Sequence, residues 1–320
     1  MTIITEAYSA NMEQSVDRSQ AKSILEPGTL WSKTIETTKN ARQSGALKSI
    51  ETEYHLIHQQ DISFIVRTLS NIVRKEQAGK KQRQQENKTG KKIDPFLPYE
   101  EELFVGNLSD SHLCLLNKFN VVDNHLLIVT RAFEPQTDLL NLSDFQALSC
   151  CLQEIDGLAF FNGGKTAGAS QSHKHLQLIP LPLLADVVHY PLESAIAKIT
   201  FTNNFGKLDC FPFRHAIARL DLDAHNSSKA IAQTMLQKYY ALLNNVGLEV
   251  DDETQTSPGS YNFLATKEWM IIVPRSQESF ENISINSLGF AGSLFVRDRH
   301  ALERLQKLTP LKLLTEVACT

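Results

Sequence analysis

The stretch FNGGKTAGASQSHKHLQLIP, residues Phe161 to Pro180, constrains the fold of this chain more than any other. Glycine and small residues crowd its first half and suit a tight turn. The second half is apolar enough for a core strand, and Pro180 and Pro182 terminate it. Side chains of a strand alternate between its two faces. His173, His175 and Gln177 therefore share one face, while Lys174 and Leu176 share the other. Such a strand calls for a sheet, with partner strands elsewhere in the chain.

Two apolar runs with strand chemistry, LCLLNKFNVV and HLLIVTRAFEPQ, follow the segment DPFLPYEEELFVGNL. Leu25 to Ala46 has a helical pattern, and Ser143 to Phe161 predicts a helix opened by an N-cap serine. ISFIVRTLSNIVRKEQ carries apolar residues at mixed spacing and ends basic. The stretch AGKKQRQQENKTGKK, Ala78 to Lys92, is rich in Lys, Gln, Asn and Gly and reads as a solvated loop. A basic flap that attracts an anionic substrate is the alternative reading. Later, SYNFLATKEWMIIVPRSQESF resembles LLNKFNVVDNHLLIVTRAFEPQ, which suggests an internal duplication whose second copy lacks the histidine pair. The boundary is expected near Leu184 to Ser194, dividing the chain into halves 1–188 and 189–320.

At 320 residues the chain exceeds what one hydrophobic core usually serves, in keeping with two halves. The apolar share of 42% and charged share of 21% are those of an ordinary soluble globular protein. A net charge of -4 argues against general nucleic-acid binding but leaves room for a local basic pocket and a small anionic ligand. Cys114, Cys150, Cys151, Cys210 and Cys319 form no CxxC pair, so buried free thiols in a reducing compartment are expected. The N-terminus has no basic start followed by an apolar core, and no apolar run approaches the ~20 residues that span a bilayer. A cytoplasmic protein without a membrane partner is the expectation.

Two histidines at alternate positions of a strand have three candidate meanings. They can be metal ligands awaiting a third from elsewhere, satisfied structural histidines, or a nucleophile with its orienting neighbour. The glycine-rich segment before them bears on the choice, because backbone N–H groups of small residues can approach phosphate oxygens closely. GGKT looks like the end of a P-loop, but Ala159 stands where that motif needs glycine, and a strand follows rather than a helix. A phosphate cradle of another type, running into a histidine pair, points to chemistry at phosphorus.

At this point a resemblance becomes specific. NGG followed by GASQSHKHLQ is similar to the active-site signature of ATP adenylyltransferases, the diadenosine tetraphosphate phosphorylases. These belong to the HxHxQ branch of the histidine-triad (HIT-like) superfamily, with the galactose-1-phosphate uridylyltransferases. LLNKFNVVDNHLLIVTRAFEPQ, FPFRH, YNFLATKEWMIIVPR and INSLGFAGSLFV also resemble that family, so the likeness covers roughly Ile50 to Arg297. It implies an α+β, HIT-like fold with two related halves, mostly antiparallel sheets and outer helices.

The resemblance also implies roles. His175 is the expected nucleophile, taking AMP as a phosphoramidate, and His173 supports it through its backbone carbonyl. Gln177 is expected to donate a hydrogen bond to the phosphoryl oxygens. Asn162, Gly168, Ala169, Ser170 and Gln171 match phosphate-holding positions. From the second half Asn286, Ser287 and Leu288 match a ligand-reaching segment, joined by Ser293 and Arg297, although Ser293 stands where a larger apolar residue is expected. Lys75 matches a phosphate-binding lysine, and Lys118 is a second basic candidate. His55, His58, His112, His125, His215 and His300 lack ligand-like spacing and read as structural or surface residues. Trp31 and Trp269 read as core or lid residues before adenine platforms.

The activity so implied is phosphorolysis of diadenosine tetraphosphate to ATP and ADP, with Mg²⁺ accompanying the polyphosphate, no protein-held metal and no tightly bound organic cofactor. The partners are nucleotides and phosphate. Nucleotidyl transfer to a sugar phosphate or sulfate is the near alternative, and a non-catalytic nucleotide-binding regulator the distant one.

Overall fold

The computed structural model describes residues 23–69, 94, 96–185, 189–220, 227–250 and 256–320. The apolar runs pair as their patterns require. Strands β1 (Thr52–Gln59) and β2 (Ile62–Leu69) form a hairpin. The first half of the main sheet consists of β3 (Phe104–Asn107), β4 (His112–Leu116), β5 (Leu126–Thr130), β6 (Gly157–Gly163) and β7 (His175–Pro180). The second half adds β8 (Phe205–Gly206), β9 (Ala216–Arg219), β10 (Tyr261–Ala265) and β11 (Trp269–Pro274). A small hairpin, β12 (Ser279–Phe280) with β13 (Ile283–Ser284), precedes β14 (Ser293–Val296).

The two halves do not keep separate main sheets. Their strands join into one nine-stranded sheet in the order β3-β4-β5-β7-β6-β10-β11-β9-β8. All its neighbours run antiparallel, as in the pairing of β6 with β10 that places Asn162 opposite Asn262. The two segments that resemble one another in sequence are both hairpins of this sheet, β4–β5 and β10–β11. A second sheet, β1-β2-β14, contains the parallel pair β2–β14 and so draws a strand from each half.

Helix α1 (Leu30–Ser44) ends on Gly45, whose φ of 76° is the left-handed turn that glycine adopts without strain. Helix α2 (Leu142–Glu154) begins at a capping box in which Asn141 accepts from the Ser143 and Asp144 N–H groups. The helix expected over Ser143 to Phe161 is therefore shorter. Asn141 rather than a serine caps it, and Gly157 to Phe161 belongs to β6. The central sheet claims that apolar run because its residues find strand partners on both edges, β7 and β10.

Helices α1, α2 and α4 (Ser228–Asn245) pack on one face of the large sheet, against Ile128, Phe161, Leu176 and Phe263. The short α3 (Glu193–Ile196) and the C-terminal α5 (Ser287–Phe290), α6 (Arg299–Leu308) and α7 (Pro310–Val317) cover the other face with the small sheet. Burial on both faces explains why β4, β5, β6, β10 and β11 are buried along their whole length. Among the described residues no helix is long and apolar enough to cross a membrane.

Candidate active site

Strand alternation puts Lys174, Leu176 and Leu178 toward the helical layer and His175 and Gln177 toward the opposite face. There the sheet floors a cavity of about 980 Å³, roofed by residues of β13, α5 and β14. His175 lies in its wall and is only 5% exposed. The imidazole Nδ1 donates to the His173 carbonyl at 2.8 Å, an oxygen that can only accept, so the lone pair resides on Nε2. The backbone is clamped as well. The His175 N–H donates to Gln136 Oε1 at 2.9 Å, and Gln136 Nε2 reaches the carbonyls of Asn162 and His175. Phe96 covers the ring with a centroid separation of 4.9 Å.

Burial lowers the His175 pKa from 6.5 to about 4; the bond to the His173 carbonyl works the other way and the nearby His173 ring adds to the depression. The imidazole is thus neutral at physiological pH, as a nucleophile must be. The His173 ring does not itself line the cavity. Its Nδ1 stands 2.7 Å from Asp94 Oδ2 and its Nε2 2.9 Å from both oxygens of Thr130. The backbone carbonyl, not the ring, is what His173 offers its neighbour.

Behind the strand lies a buried ionic cluster. Lys174, 1% exposed, contacts Asp144 at 2.7 Å and Glu134 at 3.0 Å. Asp144 also accepts from His112 Nε2 at 2.9 Å and from the Asn141 N–H at 2.7 Å. Burial alone would raise the Asp144 pKa, but the bond from His112 and the Lys174 charge together hold it below the usual carboxylate value. The same carboxylate that caps α2 therefore anchors the strand carrying the histidine pair. His112 is structural, as its lack of motif spacing suggested.

Most of the expected ligand residues converge. Asn162, Gly168, Ser170, Gln171 and Gln177 meet Asn286, Leu288, Ser293 and Arg297 across the cavity. Ala169 and Ser287 do not reach the wall. The Ala169 N–H turns back to the Gly164 carbonyl at 3.2 Å, and the Gly168 N–H to that of Lys165, so both are used within the turn. Ser287 lies behind the wall, its N–H donating to Asn162 Oδ1 at 2.9 Å. Its part is to hold Asn162. Gly168 has φ 89°, and a Cβ there would stand 2.7 Å from the Ile285 carbonyl, so the glycine turn packs directly on the segment leading into α5. Lys118 lines the cavity, but its ammonium is 2.5 Å from Glu100 Oε1. Lys75 and the basic stretch Ala78 to Lys92 lie outside the described residues.

Sequence reasoning passed over several residues that the fold brings to the site. His125, expected to be structural or on the surface, lines the cavity and contacts Gln177, with Nε2 3.0 Å from Oε1. No local motif marks it, since its partner is 52 positions away. Asn262 links Asn162 to the Ala167 carbonyl, and the buried Arg275 guanidinium donates to Asn262 Oδ1 at 2.6 Å. Burial brings the Arg275 pKa down to about 10, which leaves it charged. Ser293, unexpectedly small, makes room for the buried Arg67 guanidinium, whose Nη1 donates to the Ser293 hydroxyl at 2.8 Å. Trp269 is a core residue and Trp31 a surface one; neither lines the cavity. Among the described residues no group of three or more His, Cys, Asp or Glu could hold a metal ion.

The profile of the Ap4A phosphorylase N-terminal domain matches residues 20–198, and that of the ATP adenylyltransferase C-terminal domain residues 209–320. Ap4A denotes diadenosine tetraphosphate. The chain is 33% identical over 242 residues to diadenosine 5',5'''-P1,P4-tetraphosphate phosphorylase 2 of Saccharomyces cerevisiae, covering 68% of this chain and 73% of that protein. Protein APA1 of the same yeast is 26% identical over 299 residues, covering 87% and 90% of the two chains. Among solved structures, yeast Ap4A phosphorylase Apa2 superposes with a TM-score of 0.71 at 26% identity, covering 93% of this chain and 97% of that one. Apa2 in complex with Ap4A gives a TM-score of 0.70 at 25% identity, covering 93% and 100%. The cavity with its neutral, carbonyl-held histidine thus sits in a chain matched along nearly its whole length, and the protein belongs to the Ap4A phosphorylase family of ATP adenylyltransferases.

Proposed function

We propose that this protein is a nucleotidyltransferase that cleaves diadenosine tetraphosphate with inorganic phosphate, giving ATP and ADP through an adenylyl-His175 intermediate. The observation that carries the reading is the state of His175: buried in the cavity wall, neutral, with Nδ1–H held by the His173 carbonyl and Nε2 left with its lone pair. In the first step Nε2 attacks an α-phosphorus, the N–P bond forms, and the P–O bond to ATP breaks. The bond to the His173 carbonyl stabilises the positive charge that the imidazole acquires. In the second step a phosphate oxygen attacks the same phosphorus, the N–P bond breaks, and ADP leaves with the imidazole neutral again.

The leaving polyphosphate ionises near neutrality, so the site needs positioning and charge stabilisation more than a proton donor. Gln177, Ser170 and Gln171 line the wall, and in this reading they serve the phosphates. Gln177 cannot act as a base, whereas water must lose a proton as it attacks; inorganic phosphate arrives already ionised. The intermediate is accordingly spared for phosphate. A divalent cation such as Mg²⁺ would ride on the polyphosphate, and none of the steps above is assigned to it. A cytoplasmic location accords with this chemistry and with five cysteines that are all free.

The test is to incubate the protein with diadenosine tetraphosphate, with and without millimolar phosphate, and to measure products and covalent adenylylation. Expected are an acid-labile, base-stable adenylyl-protein, ADP well in excess of AMP when phosphate is present, and loss of ~10³-fold or more in His175→Ala. Mostly AMP under both conditions would make the protein a hydrolase and overturn the proposal.

A further inference from the structure

The amide of Gln177 has two ends, and only the N–H end can serve a phosphoryl oxygen. The structure assigns the choice between them to a directional relay that begins two side chains away. The Phe119 N–H donates to Asn117 Oδ1 at 3.2 Å, which fixes the Asn117 amide with Nδ2 as its free donor end. Nδ2 stands 3.3 Å from His125 Nδ1, so that ring nitrogen accepts. An imidazole whose Nδ1 accepts carries its proton on Nε2. His125 Nε2 lies 3.0 Å from Gln177 Oε1 and donates to it. Oε1 is thereby occupied, and the Gln177 N–H₂ is the end left for the cavity that it shares with His175.

We infer that His125 is a positioning residue for phosphoryl transfer, holding Gln177 with its donors, rather than its carbonyl, toward the anion. The inference rests on the proposed role of Gln177 at the phosphoryl group. The backbone keeps the relay in register. The Asn117 N–H donates to the His125 carbonyl at 2.8 Å, closing the loop between β4 and β5, and Gln177 pairs with Leu127 just inside β5. Phe160, opposite Gln177 on β6, lies 5.8 Å from the His125 ring. Without the Nε2 donor, Oε1 would lose its partner and the amide could present either end to the ligand. A carbonyl turned to a phosphoryl oxygen repels it.

The experiment is a double-mutant cycle on the full-length chain with His125→Phe and Gln177→Leu. The readouts are AMP affinity by calorimetry and single-turnover adenylylation by diadenosine tetraphosphate. His125→Phe keeps a ring and removes the donor. It should slow adenylylation on the order of 10-fold, less than the ~100-fold expected on losing a transition-state donor outright, with the loss in kcat rather than KM. In the Gln177→Leu background it should add little. His125→Gln sets an amide nitrogen near the place of Nε2 and should restore the rate to within about threefold of wild type. Additive penalties, or a His125→Gln variant as slow as His125→Phe, overturn the inference. If wild type forms no adenylyl-His175, the proposed reaction fails, while the His125 tautomer read from ¹⁵N spectra still judges the relay. Should His125→Phe not fold, ¹⁵N spectra of the histidine-labelled wild type decide. The Nε2–H tautomer of His125 is expected, and Nδ1–H would refute the relay.

Discussion

Lowering the pH separates His175, the buried residue proposed as nucleophile, from an ordinary imidazole. With its pKa brought from 6.5 to about 4, His175 stays neutral through a range in which a solvated histidine takes up a proton. At pH 5.5 a group of pKa 6.5 is only about one-tenth neutral, whereas a group of pKa about 4 is almost wholly so, roughly a tenfold difference in competent nucleophile. The inner phosphates of diadenosine tetraphosphate do not titrate here, so the adenylylation step reports on the protein. Its single-turnover rate, followed by intact mass, should stay nearly flat from pH 8 to 5.5 and fall only as pH approaches about 4. The same burial affects stability. Between pH 6.5 and about 4 the unfolded chain binds the proton and the folded chain does not, so this stabilising term is present above pH 6.5 and lost as pH falls. The full difference is about 3 kcal/mol, at ~1.4 kcal/mol per pH step. A His175→Gln variant lacks that dependence, and denaturant unfolding of both proteins across this range should reveal it. A rate that drops tenfold between pH 7 and 5.5, with its inflection near 6.5, would refute the argument from burial.

Gly168→Ala places a Cβ 2.7 Å from a backbone carbonyl at a φ of 89°, where no rotamer relieves the contact. It should cost roughly 1–3 kcal/mol in unfolding free energy and weaken AMP binding measured by calorimetry; wild-type behaviour in both would show the turn is free to shift. Lys174→Met leaves the buried Asp144 and its neighbour Glu134 without their shared cation. A loss of about 3–5 kcal/mol is expected in denaturant unfolding, and a change below about 1 kcal/mol would mean that His112 and the Asn141 N–H satisfy Asp144 without the lysine.

What the sequence determined by itself was local in character. Alternation along HKHLQLIP put His175 and Gln177 on one face and Lys174 on the other, because a strand permits no other arrangement. The glycine turn before them, the strand pairs and the family likeness were legible for the same reason: each depends on residues close together in the chain. Where two structures compete for one segment, local pattern was insufficient. Gly157 to Phe161 continues a helical pattern, yet it pairs with β7 and β10 because the sheet offers it hydrogen bonds on both edges. The polar contacts that prepare the site were beyond such reading. Gln136 clamps a histidine 39 positions away, His125 meets Gln177 across 52, and Ser287 holds Asn162 across 125. Hydrogen bonds of this kind carry no periodicity and no composition signal; they exist only once the sheet has closed and its two halves share an edge. The role proposed for His175 was suggested by its motif, but its protonation state is set by burial, which is a property of the packed molecule.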